Sequence, residues 1–406
     1  MPNDHASPET LGGKGTAIEV FTVFLGLGLT CFGGPVAHLG FFREAFVVRR
    51  KWLGERAYAD LVALCQFLPG PASSQVGMAI GLTRAGYPGL FAAWLGFTLP
   101  SALLLIAFAY GAGSLEALAG TGWILGLKAA AVGVVAHAVL GMARMLTPDG
   151  QRAGIALLGM IGALLMPATL GQILVILFGG LAGLAILRPV GPVTSPDTSL
   201  RLTTGPRTAL TLLALFFVLL AGLPFLAANG DNGALTLIDG FYRAGALVFG
   251  GGHVVLPLLQ AEFVTEGMIG REAFLAGYGA AQAVPGPLFT FAAYLGAAMI
   301  TPPNGLLGAG IALVAIFVPS TLLVMGVLPF WERLRNAPLA QRALGGINAA
   351  VVGLLAAALY DPVFTSGVTS PKTMAIAAAS FIALASWKCP AWAVVIAASL
   401  IGFLVL

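Results

Sequence analysis

Two short stretches carry residue types suited to holding an anion. Gln66-Phe67-Leu68-Pro69-Gly70-Pro71 and Gln282-Ala283-Val284-Pro285-Gly286-Pro287 both lie inside apolar sequence where a helix is expected to continue. Proline removes a backbone donor and glycine loosens the chain, so each Pro-Gly-Pro interrupts its helix. A helix that restarts at membrane depth aims unpaired N–H groups and the positive end of its dipole at whatever lies in front. Two glycine runs repeat the device, Phe32-Gly33-Gly34-Pro35 and Phe249-Gly250-Gly251-Gly252. Pro35 and Pro71 suit the first turn of such helices, where a missing N–H costs nothing. Ser73, Ser74 and Thr290 stand just beyond the breaks as hydroxyl donors, and Gln66 and Gln282 just before them as amide donors. The competing role for the glutamines is tying off freed carbonyls, and for the breaks themselves, simple packing kinks.

Two cations join this set. Lys128 falls within the apolar span Thr121–Met142 and Arg243 within the apolar stretch 237–257. An ionisable residue inside a membrane marks function and needs a partner. Asp239, one helical turn before Arg243, is a candidate partner for it. The sequence places no acid beside Lys128, so a substrate anion is its expected partner; the alternative is snorkelling to the interface. His38 and His253 each follow a glycine run and are candidates for carrying a coupled proton. His137 sits mid-helix with no partner evident from sequence.

The elements that must position these residues are membrane helices. Of the 406 residues 58% are hydrophobic and 9% charged, against about 25% charged in soluble domains. Runs such as Gly89–Gly113, Thr169–Leu187, Ala209–Ala228, Gly305–Leu328 and Ala343–Leu359 approach the ~20 residues needed to cross a bilayer. The expected class is an all-α polytopic membrane protein with the lipid bilayer as its surroundings. The net charge of +4 reflects basic loops on one face rather than a nucleic-acid partner. Cys31, Cys65 and Cys389 have no metal-like spacing, so neither a metal nor another cofactor is expected. An intramembrane enzyme needs a clustered catalytic set, and His5, His38, His137 and His253 are scattered. The N-terminal residues lack the apolar core of a cleavable signal.

The chain is internally duplicated. The Phe-Gly-Gly landmarks lie 217 positions apart, the Gln–Pro-Gly-Pro landmarks 216, Leu99-Pro100-Ser101 and Val318-Pro319-Ser320 219, and Ala131-Val132-Gly133 and Val351-Val352-Gly353 220. Four landmarks in one order point to duplication. The expected division is a tail at 1–16, a first repeat at 17–187, a linker at 188–207 and a second repeat at 208–406 with one extra leading helix. Charge then orients the repeats. Arg43–Arg56 carries +3 and its equivalent Gln260–Glu272 carries −2; Gly111–Thr121 carries −1 and Phe330–Arg342 carries +2. Basic segments mark one face, so the repeats are expected to be inverted, with Ala17–Arg43, 238–257 and both Pro-Gly-Pro elements as re-entrant hairpins.

With FGGPVAHLGFFREAFV near residue 32, ADLVALCQFLPGPASSQVGMAIG near 60, FGGGHVVLPLL and QAVPGPLFTFAAYLG, the chain resembles the chromate ion transporter family in its long, two-domain form. The resemblance covers both halves. It implies an inner-membrane protein that exports chromate and confers resistance; the N-terminal tail at 1–16 is expected in the cytoplasm from the sequence itself. Energy is expected from the membrane potential or proton gradient, since no GxxxxGK[ST] loop is present. Sulfate has chromate's charge and shape, so a sulfate-like dianion stays open as substrate, and a homodimer as assembly state. A passive channel is the further rival.

Overall fold

The computed structural model describes residues 15–166, 168–189, 205–230 and 232–406. The expected tail, apart from Gly15 and Thr16, and most of the expected linker 188–207 lie outside the described residues. Every regular element among the described residues is helical, and six of the helices are long and apolar enough to cross a membrane.

The first rods are too short to cross. α1 (Ala17–Thr30), α2 (Gly34–Arg43) and α3 (Glu55–Phe67) have 14, 10 and 13 residues, or at most about 21 Å against a ~30 Å hydrocarbon core. α4 (Ala72–Ala119) starts directly after the first Pro-Gly-Pro. The path closes on itself at Arg84. Its carbonyl accepts from the Gly15 N–H at 3.0 Å, and its guanidinium pairs with Glu19 at 3.0 Å. Between Gly15 and Arg84 the chain has therefore gone in and come back twice, turning at the glycine run and at Pro-Gly-Pro. Beyond Arg84 the backbone reverses at Ala85 and Gly86, the latter at φ +66°, where a left-handed residue favours glycine. The rest of α4 runs on to Ala119 at crossing length. α5 (Gly122–Leu146), α6 (Gly150–Leu165) and α7 (Thr169–Ile186) follow.

After α8 (Pro206–Asn229) the same path recurs. α9 (Gly233–Ala246) leads to the second glycine run. The chain returns through a 3-10 turn (Gly252–Val254), α10 (Val255–Leu259) and a π-helical turn (Gln260–Val264). α11 (Arg271–Ala283) leads to the second Pro-Gly-Pro, and a 3-10 turn with α12 (Phe291–Ala298) leads away. Here too the path closes: a Cβ on Gly233 would stand 2.4 Å from the Pro302 carbonyl oxygen. α13 (Gly305–Val327), α14 (Trp331–Arg335), α15 (Pro338–Ala358), α16 (Thr365–Gly367), α17 (Pro371–Ala385) and α18 (Ala391–Val405) complete the chain.

The repeats are inverted and interlocked. Arg335, beyond the end of α13, bonds Asp60 in the first half of α3 at 3.2 Å. At the other face the start of α13 meets the far end of α4: a Cβ on Gly305 would stand 2.8 Å from the Tyr110 hydroxyl. The long part of α4 and its equivalent α13 therefore run in opposite directions. The closing helices are exchanged, α6 and α7 packing on α15, and α17 and α18 on α5. Small residues let these backbones touch. A Cβ on Gly126 would lie 2.3 Å from Ala398 O, and on Gly346 2.0 Å from Gly179 O. Apolar side chains such as Leu181, Phe225 and Leu404 are left bare on the outside, as a lipid-facing surface requires.

Candidate functional site

The four turns meet where the repeats interlock, and each Pro-Gly-Pro latches onto the other repeat. The Gly70 N–H donates to Val248 O at 2.7 Å, and the Gly286 N–H donates to Cys31 O at 2.9 Å. Val248 and Cys31 are the residues just before the two Phe-Gly-Gly runs. A Cβ on Gly70 would stand 2.3 Å from Ser320 Oγ, and one on Gly286 2.9 Å from Ser101 Oγ. The Leu-Pro-Ser and Val-Pro-Ser landmarks thus supply the wall against which the opposite break rests. Pro35 and Gly252, equivalent positions, touch each other; a Cβ on Gly252 would lie 3.3 Å from Pro35 Cγ. Gly33, Gly34, Gly70, Gly250, Gly251 and Gly286 all have φ between +75° and +147°, so the turns need glycine.

The latch revises one expectation. The central amides of Pro69-Gly70-Pro71 and Pro285-Gly286-Pro287 donate to protein carbonyls, so they brace the turns instead of facing a ligand. Other donors are also committed. Gln75, not Gln66, ties off the break by donating to Pro69 O at 2.7 Å. The Thr290 hydroxyl donates to Pro287 O at 2.7 Å, and Ser73 meets His38 Nδ1 at 3.3 Å within the first repeat's core.

A cavity of about 420 Å³ opens beside the latch. One wall is the start of α2 with Gly33, Gly34 and Pro35; the other is Ala281, Gln282, Val284, Gly286 and Leu288. His137 of α5, His253, and the α17–α18 loop with Lys388 and Cys389 complete it. α2 begins at Gly33 without a side-chain cap, so its N-terminal end faces the cavity with no built-in acceptor. Gln282 Nε2 is buried without a protein partner, a donor that an anion would satisfy. His253 Nδ1 bonds the Tyr278 hydroxyl at 2.9 Å, which fixes its ring at the rim. The cavity therefore sets a few donors and one cation among apolar residues such as Val134, Ala138, Leu288 and Leu384.

Several expected residues lie elsewhere. Lys128 is buried and paired with Glu272, so an acidic partner exists where the sequence suggested none. α11 belongs to the other repeat and starts at Arg271, beyond the reach of local spacing. Arg243 pairs with Asp239, as its spacing allowed, and also with Glu262 at 3.1 Å. Neither cation lines the cavity. Gln66 is exposed and also outside it. Gly250 and Gly251 are screened by Met142, Leu146 and Asn348. His38 is buried against Phe97. Lys388 was missed because it stands in the loop after the last apolar pair. Its left-handed backbone, φ +55°, is not visible in the sequence.

A family described as chromate transporter matches residues 18–184 and, again, 235–403. The chain is 29% identical to a chromate transport protein of Pseudomonas aeruginosa, over 95% of this chain and 92% of that protein. It is 27% identical to a probable chromate transport protein of Synechococcus elongatus, over 83% of this chain and 82% of that one. To a chromate transport protein of Cupriavidus metallidurans it is 26% identical over 85% and 82%. No solved structure matches the chain.

Proposed function

The chain belongs to the chromate transporter family, and from that premise we propose that it is a secondary active transporter exporting chromate across the bacterial inner membrane, thereby conferring resistance. The observation that carries this reading is the cavity in which the uncapped start of α2 in one repeat faces the unpartnered Gln282 amide of the other. Lys388 adds positive charge at the rim, and His137 and His253 add ring nitrogens able to hydrogen-bond. The face bearing Arg43, Arg49, Arg50, Lys51, Arg333 and Arg342 is taken as cytoplasmic, with the N-terminus on that side. The α17–α18 loop lies on the same side, so the cavity faces inward and loads from the cytoplasm. A membrane potential negative inside then favours departure of a doubly charged anion by about 4.6 kcal/mol per 100 mV. The two short hairpins of each repeat are the parts free to rock about the latch, so alternating access moves the cavity and not the long helices.

Inverted vesicles should accumulate labelled chromate against its gradient, and Gln282→Ala should slow uptake. Accumulation with equal speed in the variant would remove the cavity as the site, and equilibration without accumulation would make the protein a channel. Sulfate, with the same charge and shape, is the second reading; competition by excess sulfate in the same vesicles decides it. Cysteines placed at positions 48 and 265 should label from opposite sides; labelling from one side would undo the proposed orientation.

A further inference from the structure

The second repeat holds a buried charge cluster that the substrate cavity does not use. Asp239 and Arg243 stand one turn apart on α9, and Glu262 stands on the π-helical turn of the returning arm. A single nitrogen, Arg243 Nη2, takes both carboxylates, Asp239 and Glu262, the latter at 3.1 Å. Both carboxylate side chains are at most 10% exposed. Two acids on one guanidinium leave an excess negative charge in a low-dielectric interior, which binding of one proton removes. Among the described residues Arg243 is the cation that acts on Glu262; Arg271, on α11 packed against this arm, is paired with Asp361 at 3.0 Å. The Thr169 hydroxyl of α7 donates to Glu262, and Glu266 adds a further negative charge from the same arm. α13, packed against α9, contains no charged residue, and α8 contains only Arg207, at its opposite end. On α9 itself Tyr242 is occupied with Phe216 O at 2.9 Å.

The position of the cluster gives the proton something to do. α9 and the π-helical turn are the two arms of the hairpin whose tip is Gly250-Gly251. Val248, two residues beyond the end of α9, accepts the latch bond from Gly70. The Arg243–Glu262 bond ties one arm to the other.

We propose that the Asp239–Arg243–Glu262 cluster is the proton-binding site of the transport cycle, and that its protonation releases the second-repeat hairpin. One proton adds to a carboxylate oxygen of the pair; no other bond forms or breaks, and the Arg243–Glu262 tie is weakened as Glu262 becomes neutral. This assignment rests on the transport reading for its biological use, but the switch itself is testable without substrate. It replaces His38 and His253 as the place where a coupled proton resides.

The native thiol of Cys389 lines the cavity and reports its accessibility. In purified full-length protein, alkylation of Cys389 by an impermeant maleimide should change about fivefold more between about pH 6 and about pH 8 in wild type than in Glu262→Gln. The thiol's own ionisation is common to both proteins and cancels in the ratio. In vesicles Glu262→Gln should keep chromate counterflow within about twofold while losing its stimulation by a pH gradient and the accompanying pH change of the lumen. Asp239→Asn should behave in the same direction. Equal pH dependence of alkylation in wild type and Glu262→Gln would overturn the proposal. So would loss of counterflow in both variants at normal membrane levels, since the cluster would then only hold the hairpin together. If wild type shows the pH-dependent alkylation but no chromate counterflow, the switch stands and the substrate assignment falls.

Discussion

The two re-entrant glycine hairpins share a frame and differ in what ties their arms. In the first repeat Phe24 of α1 stacks on Phe46 of the returning arm at 5.0 Å between centroids, and in the second Phe241 stacks on Phe263 at 4.3 Å. These are equivalent pairs, 217 positions apart. Around the first pair the packing stays apolar, with Phe42 and Phe97 added. Around the second, Thr22, Gly26 and Ala45 are replaced by Asp239, Arg243 and Glu262. The tips differ in the complementary sense. The apolar hairpin presents Gly33 and Gly34 to the cavity, whereas the charged one has its tip covered by Met142 and Leu146. Duplication thus set where the turns meet, and the two hairpins diverged, one apolar with its tip in the cavity and the other charged between its arms; under the proposals above the first faces the ligand and the second moves.

The largest expected effect breaks the symmetry at the latch. Gly70→Ala must fit a Cβ 2.3 Å from Ser320 Oγ and 2.7 Å from Gln75 Nε2 at φ +118°. Gly286→Ala meets Ser101 Oγ at 2.9 Å. Both should lower vesicle uptake of chromate by more than about tenfold, and Gly70→Ala should also lower the melting temperature further than Gly286→Ala does. Equal melting curves would mean that the two turns bear the repeats alike.

Next comes the pair of glutamines. Gln282→Ala removes the unpartnered amide in the cavity and should reduce uptake about tenfold, mainly through KM, while Gln66→Ala, on the exposed face, should stay within about twofold. A larger loss at Gln66 would invert the assignment of ligand-facing and outward-facing breaks. Lys388→Gln, which removes a rim charge only, should raise KM about threefold and reduce the salt dependence of uptake.

Smaller still is the response of Lys128. Its partner Glu272 is 69% exposed while Lys128 itself is 3% exposed, so the buried lysine needs the acid more than the acid needs it. Lys128→Met alone leaves a solvated carboxylate, and Lys128→Met combined with Glu272→Gln should transport within about twofold of wild type. Abolished transport in the double variant would return Lys128 to the substrate path.

The smallest effect is at the interface, where Arg43 bonds Glu55 at 2.5 Å in an exposed pair. The hydrogen bond from Arg43 lowers the Glu55 pKa below its ordinary value. Any stability from the pair is therefore present above that ordinary value and lost as the pH falls through the lowered one. Because the pair is exposed, Glu55→Gln should leave thermal unfolding at neutral pH unchanged within error.

Sequence by itself determined the class, the duplication and the inversion of this protein. These follow from composition, from landmarks in fixed order and from the signs of loop charges, and each is read from short segments, singly or by comparing one with another, without any contact between them. It also located the turns, because Pro-Gly-Pro and Gly-Gly act on their own backbone. Tertiary structure alone decided what each turn faces. The interlock brings Gly70 to Val248, Gly286 to Cys31 and Lys128 to Glu272 across separations of more than a hundred residues, and it exchanges the closing helices between repeats so that Lys388 reaches the cavity. Which donors remain free for an anion depends on which ones the protein has already used, and that accounting closes only when both repeats are in place.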